Sequence, residues 1–353
     1  PANMIVRDLA RARRLRGSDQ ALRAQVAQQH PHHPEWQARV PGQVQPFTLL
    51  EGCLDEPLLL TRDFDDRLHC ISNVCTHRGA IVCEGPGVER HLRCRYHGRR
   101  FALNGRFESM PEFEQAKGFP SDADHLREVS LAQWGPMLFA SLNPSVPLDD
   151  LIAPMKQRLA WLPMDRFQFD PSRSRDYLIR CNWALYCDNY LEGFHIPFVH
   201  AGLNEKLDYG NYRTELFEWC NLQLGVASEA DGCFDLPKSS PDFGQHIAAN
   251  YWWVFPNTMF NFYPWGLSVN IVRPLAVDRT RVSYLTWVWD ESKLDQGAGV
   301  NLDRVEREDE AVVESVQRGV QSHIYDRGRY SPTREKGVHH FHRLLAAAMN
   351  GST

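Results

Sequence analysis

This 353-residue chain has no run of about eighteen apolar residues, so no part of its sequence reads as a membrane span. Nor is there an excess of positive charge: 39 Lys and Arg against 44 Asp and Glu leave a net charge of -5, which argues against nucleic acid as a partner. No G-x-G-x-x-G fingerprint occurs, so any NAD(P)H used in its chemistry has to be handled by a separate protein. The nine cysteines include no C-x-x-C pair, and no secretory leader is evident, which excludes a secreted disulfide framework and predicts a reduced, cytoplasmic setting. The first 23 residues carry six arginines, but Asp8 and the scarcity of serine fit a surface helix better than a transit peptide. Residues 1–40 are expected to be an N-terminal helical segment packing on the catalytic domain.

At 43% hydrophobic and 24% charged, the chain is long enough for two cores. Residues 41–146 show short alternating runs such as Pro57-Leu-Leu-Leu-Thr-Arg62 and Leu68-His-Cys-Ile-Ser-Asn73, broken by Gly, Asp and Asn, which read as a small antiparallel β domain. Set among them are Cys75-Thr-His77-Arg-Gly79 and, after sixteen intervening residues past His77, Cys94-Arg-Tyr-His97-Gly98. Each loop offers one thiolate and one imidazole, and its glycine permits a tight turn. The order Cys-His-Cys-His differs from a C2H2 zinc finger and matches a Rieske [2Fe-2S] centre, with Cys75 and Cys94 on one iron and His77 and His97 on the other; zinc is the competing ion.

Residues 147–353 are too many for an electron-transfer module alone. Arg175 to Cys181 reads as a strand, as do five further runs between Tyr212 and Trp289, the last four of them an antiparallel meander, giving an α+β fold with a curved sheet and covering helices. Between the first strand and the meander lies Asp188-Asn-Tyr-Leu-Glu192-Gly-Phe-His195-Ile-Pro-Phe-Val-His200. On a continuous helix Asp188, Glu192 and His195 share a face, and Pro197 breaks the helix so that both imidazoles can converge. Two histidines with a carboxylate suit a mononuclear Fe(II) site with open positions, although a His beside an acid is also a common ion pair. A helix from about 302 to 321 carries an apolar stripe of Leu302, Val305, Val312, Val316 and Val320, with Asp309 in its middle and Glu306, Glu308 and Glu310 pointing away. A core-facing carboxylate requires compensation, by Fe(II) or by a buried Arg. Among the strands, Tyr251, Trp253 and Phe255 share one face, as do Phe260 and Phe262; they read as core, or as a surface for a trimethylammonium group or an arene.

A Cys-His pair of loops followed about a hundred residues later by D-x3-E-x2-H-x4-H resembles the α subunit of a Rieske non-haem iron oxygenase, over most of the chain. Asn189-Tyr-Leu-Glu-Gly-Phe-His195, Glu314-Ser-Val-Gln-Arg-Gly319 and Gly337-Val-His-His-Phe-His-Arg-Leu-Leu345 resemble the choline monooxygenase branch. The resemblance implies a β-sandwich Rieske domain and a helix-grip (Bet v1/START-like) catalytic domain. It implies a [2Fe-2S] cluster on Cys75, His77, Cys94 and His97, and mononuclear Fe(II) on His195, His200 and Asp309, with O2 as co-substrate. It further implies a homotrimer in which Glu192, with Asp188 on the same path, links His195 to a Rieske histidine of the neighbouring subunit. Electrons would come from a flavin/iron-sulfur reductase or a ferredoxin. The expected function is that of a terminal oxygenase acting on a small molecule, a quaternary ammonium compound in the first instance. Aromatic-ring dihydroxylation and electron carriage without oxygenation are the alternatives. One departure stands out: Arg99 and Arg100 follow Gly98 where the family usually has Trp, which predicts altered donor docking or subunit contact.

Overall fold

A computed structural model describes residues 27–28, 40–294 and 296–350. The chain divides between Pro144 and Ser145 into two compact units.

In the first unit, Ala27–Gln28, Met137–Ser141 and Ser130–Trp134 form a three-stranded sheet. Leu68–Ser72, Glu56–Arg62, Gln43–Leu49 and Gly87–Val88 form a four-stranded one, and Leu92–Arg93, Arg100–Phe101 and Phe107–Ser109 a third. Every pairing is antiparallel. The run Leu58-Leu-Leu60 fails to alternate because both faces of its strand are covered. Leu58 and Leu60 pack with Cys70, Val129 and Leu138, whereas Leu59 packs with Val44, Ile71 and Phe101 on the other side. Of the helical segment expected over residues 1–40, only Ala27–Gln28 and Val40 are described. Ala27–Gln28 is extended, paired with Ala140 and Phe139, because the edge of the Met137–Ser141 strand offers backbone groups that need partners. The rest lies outside the described residues.

Arg99 is not available to a docking partner, contrary to expectation: its side chain is only 2% exposed. Its Nη2 donates to Asp124 Oδ1 at 2.5 Å and to the Asp124 carbonyl at 3.2 Å, and its guanidinium lies over the rings of Phe101, Phe107 and Phe119 at 5.7, 4.9 and 5.4 Å. An arginine can fill an aromatic slot in this way because its planar cation is weakly hydrated and stacks on rings. Thr76 Oγ1 donates to the same Asp124 carbonyl at 2.8 Å, so Asp124 ties the loop of Cys75 to that of Cys94. Arg100 is half-exposed and pairs with Glu108 at 3.3 Å.

In the second unit one antiparallel sheet of eight strands runs in the order Gln168–Phe169, Arg279–Val288, Gly266–Ala276, Thr258–Tyr263, Ile247–Val254, Cys220–Val226, Arg213–Leu216, with Arg175–Ile179 also pairing with Arg279–Val288. The helices are α1 (Leu148–Leu151), α2 (Ala153–Arg158), α3 (Trp183–Tyr190), α4 (Ile196–Val199), α5 (Ala201–Asn204), α6 (Leu302–Gly319) and α7 (Lys336–Met349). Trp183 of α3, Val313 of α6 and Phe341 and Leu345 of α7 pack on Trp253, Met259, Val272 and Val282 of the sheet. The fold is α+β, as the sequence patterns predict.

The phase of α6 differs from the expected stripe. Glu306, Val313, Gln317 and Val320 are buried and Val316 is 42% exposed. The expected phase treated every glutamate as solvent-facing, but two phenols receive Glu306 inside, and Gln317 Oε1 accepts the buried Asn182 amide at 2.8 Å.

Although burial raises the Asp124 carboxyl, the bonds from Arg99 and Ser121 outweigh it and hold the group below its ordinary value. Its stabilising effect is therefore complete above the unfolded carboxylate value and lost only as pH falls through the lower folded one. Replacing Asp124 with Ala strands a buried guanidinium. The first unit should lose about 3 kcal/mol, read as a lower midpoint in denaturant unfolding followed through its own chromophore.

Two candidate metal centres and the cavity beside one of them

The two cysteine loops of the first unit are built alike. The amide of Gly79 donates to the Cys75 carbonyl and that of Gly98 to the Cys94 carbonyl, both at 3.0 Å, while the Cys75 and Cys94 amides donate to Ala80 and Arg99 at 2.8 and 2.9 Å. Gly79 and Gly98 have φ of +71° and +73°, a region costly for any residue with a side chain. The result places His77 Nδ1 3.1 Å from His97 Nδ1. Two imidazole ligands about 2.1 Å from one ion, at roughly a right angle, have this separation. Cys75 and Cys94 are buried, at 3% and 2% exposure, and burial followed by the facing Cys94 pushes the Cys75 thiol up. Two thiols so confined need a metal to become thiolates. His77 is held below the ordinary imidazole value, by burial first and then by His97, Arg78 and Arg99, which keeps it in the neutral form that a metal requires. Tyr96 stacks on His97, and Phe113 meets His77 edge-on. These residues fit a [2Fe-2S] cluster.

In the second unit His195, His200 and Asp309 offer three ligand atoms within 4.8 Å of one another. The helical face expected to align Asp188, Glu192 and His195 is not continuous, since α3 ends at Tyr190. Glu192 causes part of that ending: its Oε2 accepts from the Phe194 amide and, at 3.1 Å, from the His195 amide, taking the place of helical carbonyls. The other oxygen lies 2.7 Å from His195 Nδ1. Gly193 is required in this turn, because a Cβ there would sit 2.5 Å from the Tyr212 ring.

His200 is secured in the same manner by a residue that the helix phase had turned outward. Glu308 Oε2 lies 2.8 Å from His200 Nδ1. Each imidazole thus has its Nδ1 on a carboxylate and its Nε2 toward Asp309 Oδ1, at 3.5 Å from His195 and 3.0 Å from His200. Asn189 Nδ2 donates to that oxygen at 2.6 Å. Burial opposes protonation of His200, but Asp309 and Glu308 outweigh it and raise its affinity for a proton. Two imidazoles held through their far nitrogens, and one carboxylate, make a donor set suited to iron(II). Asp188 is elsewhere: its Oδ1 meets Nε2 of His342 on α7 at 2.7 Å, and His342 Nδ1 in turn meets the Tyr330 hydroxyl.

A cavity adjoins this trio. Its floor is a cross-strand row of facing residues, Gln223, Tyr251, Asn261 and Ser268, with Asn270 and Tyr284 in the neighbouring row. Tyr186, Tyr190, Tyr212 and Tyr263 add further phenols, and none of the lining residues is Lys or Arg. Burial raises all six tyrosine hydroxyls, so they stay neutral. Of the aromatic residues singled out in the sequence, only Tyr251 lines the cavity. Trp253 and Phe255 belong to the core under the helices, and Phe260 and Phe262 point to the opposite face. Asn261 and Asn270 are not among the expected site residues; their signal in the sequence is a polar residue on one face of otherwise apolar strands.

Comparison with known proteins agrees with this geometry. Residues 160–351 match the model of the ring hydroxylating alpha subunit (catalytic domain), and residues 39–120 match the Rieske [2Fe-2S] domain. The chloroplastic choline monooxygenase of Arabidopsis thaliana is 33% identical over 310 residues, 82% of this chain and 71% of that protein. Among solved structures, the quaternary ammonium Rieske monooxygenase CntA in complex with L-carnitine superposes with a TM-score of 0.65 at 20% identity, covering 88% of this chain and 86% of that one. Naphthalene 1,2-dioxygenase from Rhodococcus sp. gives 0.68 at 18% identity, covering 95% and 91%. With both domains matched in order and a relative this similar, the chain belongs to the Rieske non-haem iron oxygenase α subunits, whose cofactors are a [2Fe-2S] cluster and a mononuclear iron.

Proposed function

We propose that this chain is the terminal oxygenase of a multicomponent system and oxidises a C–H bond of a small quaternary ammonium compound. The cavity beside His195, His200 and Asp309 carries the reading. Its neutral phenol rings suit a trimethylammonium group, each cation–π contact being worth about 0.5 to 2 kcal/mol, and no lining Lys or Arg repels a cation. The Arabidopsis relative, a choline monooxygenase, supports the same class. Naphthalene 1,2-dioxygenase shares the fold, but the lining of Gln223, Asn261, Asn270 and six tyrosines is more polar than an unsubstituted arene requires, which favours the ammonium reading over ring hydroxylation. The His195, His200 and Asp309 trio counts against a carrier without oxygenase activity.

In this reading Cys75, Cys94, His77 and His97 would hold the cluster, and His195, His200 and Asp309 the mononuclear iron. When bound, these centres supply electrons singly and activate O2. Glu192 and Glu308 keep both imidazoles in the tautomer whose Nε2 lone pair faces Asp309. The phenols hold the ammonium group, and the floor amides orient the remainder of the substrate. Glu192 also relays electrons, by linking His195 to His97 of the partner subunit in a homotrimeric ring. The exposed His97 edge and the apolar side chains of Phe194 and Phe198, 42% and 81% exposed near Glu192, support such an interface. Asp188 fixes α3 against His342 on the same path. Electrons come from a separate flavin/iron-sulfur reductase or a ferredoxin, and all nine free cysteines suit a reducing compartment such as the cytoplasm.

The direct test supplies O2, reductant and a donor protein with either choline-like compounds or arenes. The expected result is reductant consumption with formaldehyde or an aldehyde as product; a cis-diol from an arene overturns the reading. Replacing Asp309 with Ala should remove about one iron in three while the visible spectrum of the cluster persists; unchanged iron content removes Asp309 from the ligand set. Replacing Glu192 with Gln should leave both metals in place and slow oxygenation about a hundredfold, measured as single-turnover oxidation of the reduced cluster.

A further inference from the structure

The side chain of α6 that faces the cavity wall from behind is Glu306, 1% exposed. Its Oε2 accepts from Tyr186 at 2.7 Å and from Tyr284, and those two hydroxyls are 2.9 Å apart. Both tyrosines line the cavity; Glu306 itself does not. Its other oxygen, Oε1, has no hydrogen-bond partner among the described residues. The neighbouring carboxylates are all engaged: Asp309 with His195 and His200, Glu308 with His200 and Arg304, and Glu192 with His195. Among the described residues no Lys, Arg or His forms an ion pair with Glu306.

We propose that Glu306, acting through the hydroxyls of Tyr186 and Tyr284, is the counter-charge for the cation that enters this cavity, and that the cavity selects cations bearing no carboxylate. The inference deepens the quaternary ammonium reading and rests on it. When both phenols turn their hydrogens toward Glu306, they present oxygen lone pairs and ring faces to the cavity, and the negative end of each hydroxyl dipole points at the ligand. A carboxylate shielded in this way acts at one remove, which suits an ammonium whose methyl groups cannot donate hydrogen bonds. The same cavity offers no Lys or Arg to pair with a substrate carboxylate.

The proton inventory agrees. Three oxygens close a triangle of contacts, and two phenols supply only two hydrogens, so the cation-free arrangement is completed by a third proton on Glu306. Burial, then Asp309 and Glu310, push the Glu306 carboxyl up to about 8 against the bonds from Tyr284 and Tyr186. The ionisable groups around it are Tyr186 from α3, Cys181 just before α3, Tyr177 and Tyr284 from the adjoining strands, and Asp309 and Glu310 from its own helix; none is a cation. A cation in the cavity supplies the missing positive charge, and Glu306 then releases its proton to solvent.

Glu306 is a specificity residue, so its test separates charge from shape. Choline and its neutral isostere 3,3-dimethylbutan-1-ol are titrated into the iron-loaded protein and into the Glu306→Gln variant, with carnitine as the carboxylate-bearing probe. The unchanged protein should bind choline at least tenfold more tightly than the isostere or carnitine. In the variant the advantage over the isostere should collapse while the isostere binds as before. Because the variant could fold poorly, the unchanged protein is also titrated at several pH values: choline binding should weaken as pH falls through the titration of Glu306, and isostere binding should not. An equal preference in protein and variant, or a choline affinity independent of pH, overturns the assignment of Glu306 even if choline is oxidised. Failure of every quaternary ammonium compound to be bound or oxidised overturns the functional reading itself.

Discussion

An imidazole has two nitrogens, and the second must be held if the first is to face a metal. The catalytic unit depends on that constraint. Glu192 holds His195 and Glu308 holds His200, at 2.7 and 2.8 Å, so both rings have a fixed tautomer and a fixed tilt. Because Glu308 and Asp309 are adjacent on α6, one helix supplies both a holder and the facing carboxylate. The docking of α6 against α3 then becomes part of the site. Val313 and Gln317 secure it, the first in the shared core and the second on the backbone of Asn182, just before α3 begins.

Much of this was legible in the sequence, for physical reasons that vary by residue. The cysteine loops were legible because their chemistry is local: a thiolate, an imidazole and a glycine at fixed offsets need no knowledge of the rest of the chain. Asp309 was legible because helical periodicity places it toward the core whichever neighbours accompany it. Glu306 and Glu308 were not, since the same reasoning assigns charged residues to solvent unless a partner is known, and their partners are Tyr186, Tyr284 and His200, more than twenty residues away in each case. The end of α3 was also hidden. The spacing of Asp188, Glu192 and His195 is helical, yet the Glu192 side chain captures the amides that would have continued the helix. On the strands, alternation showed which residues share a face but not which face is the cavity, because both faces of this sheet are buried.

The first unit solves a related problem with different groups. No disulfide joins the two cysteine loops. The loops are joined instead by polar contacts that converge on Asp124, through Thr76 from one side and Arg99 from the other. Such a clasp is reversible and carries charge. Its cation lies among three phenylalanine rings, and its positive field is felt at Cys75 and His77. A tryptophan in the same slot would fill the volume without either property, so the arginine is not a neutral exchange.

The acidic run on α6 brings these themes together. Glu306, Glu308, Asp309 and Glu310 fall within five consecutive residues, and a helix turned partly inward cannot leave four like charges unmatched. Glu308 is matched by His200 and Arg304, and Glu310 lies 3.9 Å from Arg307. An iron(II) ion held with His195 and His200 would offset Asp309. That leaves Glu306, which is more deeply buried than the others and bonded only to phenols. Each carboxylate that has a resident partner meets a fixed cation or a metal-facing imidazole, whereas the one without lies behind the wall of the cavity that receives the ligand. The charge balance of the helix therefore closes either with a proton on Glu306 or with something positive in that cavity, and this links the acidity of α6 to the choice of substrate.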